Sequence, residues 1–158
     1  MKQYTTRFPN KLLLILSLLT VIATSCLFPK RPKEKIYAIL FGESTNACIQ
    51  VLESRDARAI DDQMMYLHFK TCPEEIRRIL SLVPYKSSII NKSLIELESP
   101  DPATINENKI PSLPKWWNVR KFGDSCIKFE YFDPNKDHAQ IGYLSLDSSE
   151  VYFKDQVW

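Results

Sequence analysis

His68 stands four residues before Cys72 and a short distance after Asp61 and Asp62, so an imidazole, a thiol and carboxylates fall within one stretch. An imidazole that deprotonates a thiol while an acid orients it is the arrangement of a nucleophilic enzyme. The surrounding pattern works against that chemistry. In "QMMYLHFKT" (63–71), Met65, Leu67 and Phe69 alternate with Met64, Tyr66, His68 and Lys70, which predicts a β-strand with one apolar face. His68 then lies on the other side, half-exposed. Pro73 opens a helix directly after Cys72, and no spacing turns the thiol toward the ring. His138 lies at a polar turn and reads as solvated. The pairs Asp61/Asp62 and Glu74/Glu75 are adjacent, diverge in direction and read as surface charge. Glu96 and Glu98 share a face only in an extended segment, with no second feature that makes them a catalytic pair. Neither EF-hand spacing nor H-E-x-x-H occurs, and three glycines in the whole chain exclude glycine-rich phosphate loops. No metal and no cofactor is expected.

A different cysteine carries the sharper signal. Lys2, Arg7 and Lys11 precede an apolar run from Leu12 to Ala23, with no acidic residue before Glu34, and Thr24 and Ser25 lead into Cys26. A basic start, a short apolar core and small residues before a cut site describe an export signal. The run falls short of the roughly 20 apolar residues that cross a bilayer. "ATSC" (23–26) resembles a bacterial lipobox. That resemblance implies a signal peptide over 1–25, removed so that Cys26 carries diacylglycerol on its thiol and becomes the N-terminus. A lipobox more often has Leu first and Gly or Ala before the cysteine; Ala23 and Ser25 are permitted variants. A retained N-terminal anchor and an ordinary cleaved signal are the other readings of the same segment. Residues 26–35 then form the lipidated cysteine and a basic linker, and 36–158 a single domain. The expected location is the bacterial cell envelope, lipid-anchored to the membrane and facing the periplasm or the exterior.

The charge follows the same division. The chain is formally +2, but its excess of Lys and Arg sits in the signal and the linker, so the part from Ile36 onward is mildly acidic. That excludes a nucleic-acid footprint. Lys30, Arg31, Lys33 and Lys35 either lie against anionic headgroups or form a solvated linker. Beyond Cys26, the remaining Cys48, Cys72 and Cys126 allow at most one intrachain disulfide and one spare thiol. Three buried thiols is the first expectation, and one disulfide of undetermined pairing is the second.

The elements that must position these residues are alternating and mostly extended. "KIYAILFG" (35–42) reads as a short strand, "NACIQVLES" (46–54) as a second, and "SRDARAIDD" as a charged turn leading into 63–71, which together suggest an antiparallel hairpin. "TCPEEIRRILSLV" predicts a helix. Thr71 and Glu74 suggest a capping box, Pro73 suits the first turn, and Ile76, Ile79, Leu80 and Val83 form one stripe. Residues 87–98 fit a helix or a strand. Pro100, Pro102, Pro111 and Pro114 mark a long extended loop. "SCIKFEYFD", "AQIGYLSLD" and "EVYFKD" form a three-stranded meander. The fold class is α+β: a mostly antiparallel sheet with one or two helices packed on one face, after the N-terminal signal or anchor segment.

Trp116 and Trp117 follow the proline loop, beside Lys115, Arg120 and Lys121. Exposed, Trp116, Trp117 and Arg120 would offer an aromatic and cationic platform to a protein, peptide or glycan; buried, the rings would plug the sheet. "MYLHFKTCPEEIRRIL", the "WW" and "LSLDSSEVYFKD" resemble a loosely defined group of short, uncharacterised bacterial lipoproteins and secreted proteins. That group shares a strand–helix "HF…PE" element, a tryptophan pair and a C-terminal hairpin. The resemblance spans residues 46–155 and implies no activity and no site. The reading is therefore a membrane-anchored, non-catalytic binding or accessory module, with a small hydrolase or thiol enzyme using His68 and Cys72 or an Asp as the alternative. Cys26→Ala should abolish acyl labelling and leave unprocessed precursor. Normal processing with persistent label in that variant would overturn the lipidation.

Overall fold

The computed structural model describes residues 31–43, 46–58, 63–98 and 113–158. Cys26, Asp61, Asp62 and most of the proline loop lie outside them. The elements run α1 (Lys33–Phe41), β1 (Gln50–Arg58), β2 (Gln63–Lys70), α2 (Pro73–Leu80), β3 (Lys86–Asn91) and α3 (Lys92–Glu98). A 3₁₀ helix (Val119–Phe122) follows, then β4 (Ser125–Asp133), β5 (His138–Leu144) and β6 (Glu150–Val157). The fold is α+β around one six-stranded sheet of order β1-β2-β6-β5-β4-β3, with every neighbouring pair antiparallel. The β1–β2 hairpin and the β4–β5–β6 meander match the expectation from sequence. β6 returns to β2, so these two strands lie inside the sheet.

Strand alternation sends side chains to two layers. Met65, Leu67 and Phe69 of β2 join Val151 and Phe153 of β6, Phe129 of β4, and Ile36, Tyr37, Phe41, Ile76 and Ile79 from α1 and α2. Met64 and Tyr66 of β2 join Tyr152, Tyr143 and Cys126 on the opposite face, where Trp117, Val119 and Ile95 cover them. Two helices therefore pack on one face, as expected, and α3 with the 3₁₀ segment closes the other. β2 does not have a single apolar face; both of its faces are buried.

Several local expectations need correction. Residues 35–41 are helical rather than extended: Ile36, Tyr37, Leu40 and Phe41 sit at helical spacing, Glu34 lies in the first turn, and Gly42 at φ 77° ends the helix. α1 starts at Lys33, three residues before the expected domain start. The charged turn is shorter than expected, because β1 runs through Arg58, with Arg58 bonding Asp56 at 2.5 Å. No capping box forms. Cys72 is the N-cap of α2, and the Thr71 amide instead donates to Ser149 O at 2.9 Å. The ambiguous 87–98 segment divides, its first half strand and its second half helix.

Glu75 is not surface charge. It is fully buried, and it accepts hydrogen bonds from Tyr37 Oη at 2.6 Å, Asn46 Nδ2 at 2.5 Å and Arg78 Nη2 at 2.6 Å. Arg78 Nη1 also donates to Phe41 O at 2.7 Å, so one ion pair ties the end of α1 to α2. Burial alone would raise the Glu75 pKa. The bonds from Arg78, Tyr37 and Asn46 outweigh it and hold the carboxyl at about 2. Its folded value lies below its unfolded one, so the stabilisation is complete above pH 4.5 and is lost as pH falls toward 2. Beside this cluster, Cys48 and Cys72 form a disulfide, while Cys126 is a buried free thiol. The expectation of three free thiols is thus replaced by one bond, which fastens the α1–β1 connection to the start of α2.

Gly142 answers a close approach. It lies between Phe129 and Phe153 on the neighbouring strands, whose rings meet across it at 6.1 Å, and a Cβ there would fall 2.0 Å from the Phe129 ring. Among the described residues, no helix is long and apolar enough to cross a membrane. Glu75→Gln should lower unfolding stability by about 3 kcal/mol at pH 7. It should also remove most of the acid sensitivity between pH 4.5 and 2, as read by urea titrations at neutral and acid pH.

Candidate functional site

The β2–β6 register sets His68 opposite Tyr152, and the two rings stack at 4.2 Å and 6°. Trp116 approaches the imidazole at 6.2 Å and 19°, so His68 lies between two aromatic planes. His68 is 6% exposed, against the half-exposed position expected from alternation, because the segment around Trp116 and the 3₁₀ helix covers this face. Its Nε2 meets Glu150 Oε1, two residues along β6 from Tyr152. Lys121 from the 3₁₀ helix donates to the same carboxylate oxygen, and its ammonium lies 5.2 Å from the Tyr152 ring centroid. Lys121 Nζ and His68 Nε2 are 3.3 Å apart as two donors sharing one acceptor. The imidazole therefore carries its proton on Nε2.

Burial pushes the His68 pKa down; the bond to Glu150 opposes this and the Lys121 charge adds to it. Burial would raise Glu150, but the bonds from Lys121 and His68 outweigh it and lower its pKa. Lys121 is raised, because its bonds to Glu150 and Tyr152 exceed the cost of its own burial. The set is a neutral imidazole beside a closed ammonium–carboxylate pair, and it contains no nucleophile. Cys72 is bonded to Cys48, so the thiol of the enzyme alternative is spent. His138 is not simply solvated, since Nε2 lies 2.7 Å from Asp155 Oδ1, which also accepts from Gln140. Among the described residues, no three His, Cys, Asp or Glu side chains converge as a metal site.

The tryptophan pair divides. Trp117 is 3% exposed, edge-on to Tyr66 at 5.4 Å and packed near Tyr143 and Tyr152, where it is part of the core. Trp116 is half-buried, 6.2 Å from Trp117, with Lys115, Asn118 and Arg120 exposed around it in sequence. Trp117 and Val119 alternate inward along this segment and leave Trp116 and Arg120 turned outward. Sequence reasoning missed Glu150, and it placed Lys121 only among the basic residues beside the tryptophan pair. Glu150 is placed by pairing across the sheet, which no local pattern reveals.

Two open cavities lie elsewhere. One, of about 570 Å³, is lined by α1, β1 and the chain between them, including Lys33, Tyr37, Asn46 and Val51; the other, of about 550 Å³, includes Pro84, Tyr131, Phe132 and Ile141. Neither of these two is lined by His68 or Trp116. No protein-family model, curated protein or solved structure matches this chain.

The His68 NMR titration should show a midpoint below the ordinary value of about 6.5. Glu150→Gln should move it lower still and Lys121→Ala should move it up, as the opposing charges require. Because the folded value lies below the unfolded one, the His68 contribution to stability falls as pH drops below 6.5. A normal midpoint insensitive to both substitutions would refute the network.

Proposed function

We propose that this chain is a lipoprotein tethered to the bacterial membrane through Cys26, whose domain is a non-catalytic binding or accessory module. Its partner is a protein, peptide or glycan, met by Trp116 and Arg120. The observation that carries the reading is the presentation of Trp116. Its ring stacks toward a buried imidazole, its neighbour Trp117 is fixed in the core, and its sequence surroundings are cationic and polar. A half-buried tryptophan held in one orientation offers large contact area at low ordering cost.

The Cys48–Cys72 disulfide supports export, because such bonds persist in oxidising compartments and are rare in the cytosol. The hydrolase or thiol-enzyme alternative retains a histidine–carboxylate contact at His68, but its imidazole is enclosed and its nearest charged partners neutralise each other.

Crosslinked pull-down from membranes, read by mass spectrometry, tests the binding surface with Trp116→Ala and Arg120→Ala. Partners captured by the wild type should be lost from both variants while their unfolding midpoints hold. Unchanged capture would count against the surface. Trp117→Ala is the wrong probe, because removing a core tryptophan costs about 3–5 kcal/mol.

A further inference from the structure

Exposed aromatic surface gathers at one end of the sheet. Phe132, near the end of β4, is 60% exposed, and Trp158, just after β6, is 47% exposed. Every other Phe, Tyr and Trp among the described residues is buried or half-buried. The register sets Phe132 opposite Ala139 and Ala139 opposite Gln156, so Phe132 and Trp158 belong to the same face. Their rings stack at 6.3 Å and 27°, and the Trp158 amide donates to Asp137 O at 3.0 Å, which holds the tryptophan against the β4–β5 turn. Exposed Val157, and the cavity of about 550 Å³ that Phe132 lines with Ala139 and Ile141, extend the apolar area.

The chain enters the domain near the same end. Arg31, just before α1, lies 3.6 Å from Asp56. Asp56 stands level with Met65 and Asp155, three residues or about 10 Å along the strand from Trp158. In the other direction β1 begins at Gln50, six residues or about 20 Å from Asp56. Cys26 precedes Arg31 by five residues, and an extended chain of that length reaches at most about 18 Å. A lipid on Cys26 would therefore keep the aromatic end of the sheet closer to the bilayer than the opposite end. Arg31 and Arg58 pair with Asp56, and Lys136 pairs with Asp133, so a contact here draws on aromatic burial rather than on charge. Tryptophan suits the headgroup boundary, having an apolar body and a polar edge.

We propose that Phe132 and Trp158 form a membrane-docking edge that inserts into the headgroup boundary of the bilayer in which Cys26 is anchored. The docking rests on the tether described above. A bilayer is favoured over a protein partner because the short link keeps these rings within its reach. Docking also turns the Trp116 surface away from the lipid. Trp116 stacks toward His68, which pairs with Tyr152, six residues or about 20 Å along β6 from Trp158.

The test uses full-length protein in phosphatidylcholine vesicles that contain lipid spin-labelled on the headgroup. A fluorophore is placed on Asn135→Cys in the β4–β5 turn or on Leu146→Cys in the β5–β6 turn, both exposed positions. Quenching should be at least about twofold stronger at position 135 and insensitive to salt. Phe132→Ser combined with Trp158→Ser should reduce it to the level at position 146, while the protein still floats with the vesicles and keeps its unfolding midpoint. Equal quenching at both positions, or quenching at 135 that survives the double substitution, would overturn the docking and leave the tether standing. Wild-type protein that does not float with the vesicles would overturn the tether and the docking with it. Unchanged quenching in the double variant, with partners lost from a membrane pull-down, would assign the rings to a protein instead.

Discussion

Burial of β2 and β6 on both faces is the constraint from which most of this structure follows. A strand covered on one side can send its polar residues to water, but an interior strand covered on both sides cannot. Each polar side chain on it must find a partner within the protein or carry a penalty of about 1–3 kcal/mol. Asp155 accepts from Gln140 at 2.8 Å and lies 2.7 Å from His138 Nε2, and Tyr85 donates to Gln140 at 2.5 Å. His68 and Glu150 answer the same demand on the opposite layer, with Lys121 supplied from outside the sheet. No buried side-chain nitrogen or oxygen among the described residues is without a partner.

The same demand fixes how Trp116 and Arg120 are presented. Lys121 is drawn down to Glu150, and this fixes the 3₁₀ helix against β6. Val119 and Trp117 fill the layer beneath it. Trp116 and Arg120 are what remains outside, held by a segment whose other side chains are committed. The tryptophan needs no ligand to order it, which lowers the entropic cost of meeting one.

Much of the architecture was legible because period-two alternation is local. The β2 pattern, the β4–β6 strands and the apolar stripe of α2 could each be read from a few consecutive residues. What failed depended on partners distant in sequence. α1 was read as a strand because Ile36 and Ile39 suit one, while its helical spacing of 36, 37, 40 and 41 was the better guide. Glu75 looked like surface charge because Tyr37 and Asn46, which bury it, come from another part of the chain. His68 looked half-exposed because its cover arrives from residues 116–122. The tryptophan pair stands out in the sequence, but only the fold could say which ring faces inward.

Cys126 acquires a meaning from the company it keeps. It is fully buried, and burial pushes its pKa up to about 11, with the charge of Glu98 adding to the shift. At neutral pH only about one molecule in ten thousand would carry the thiolate, which is the form that attacks a disulfide. A free thiol in the same domain as a disulfide risks exchanging the correct bond for a wrong one. Here the spare sulfur is both shielded and protonated, so once folded the domain holds Cys48–Cys72 against reshuffling from within.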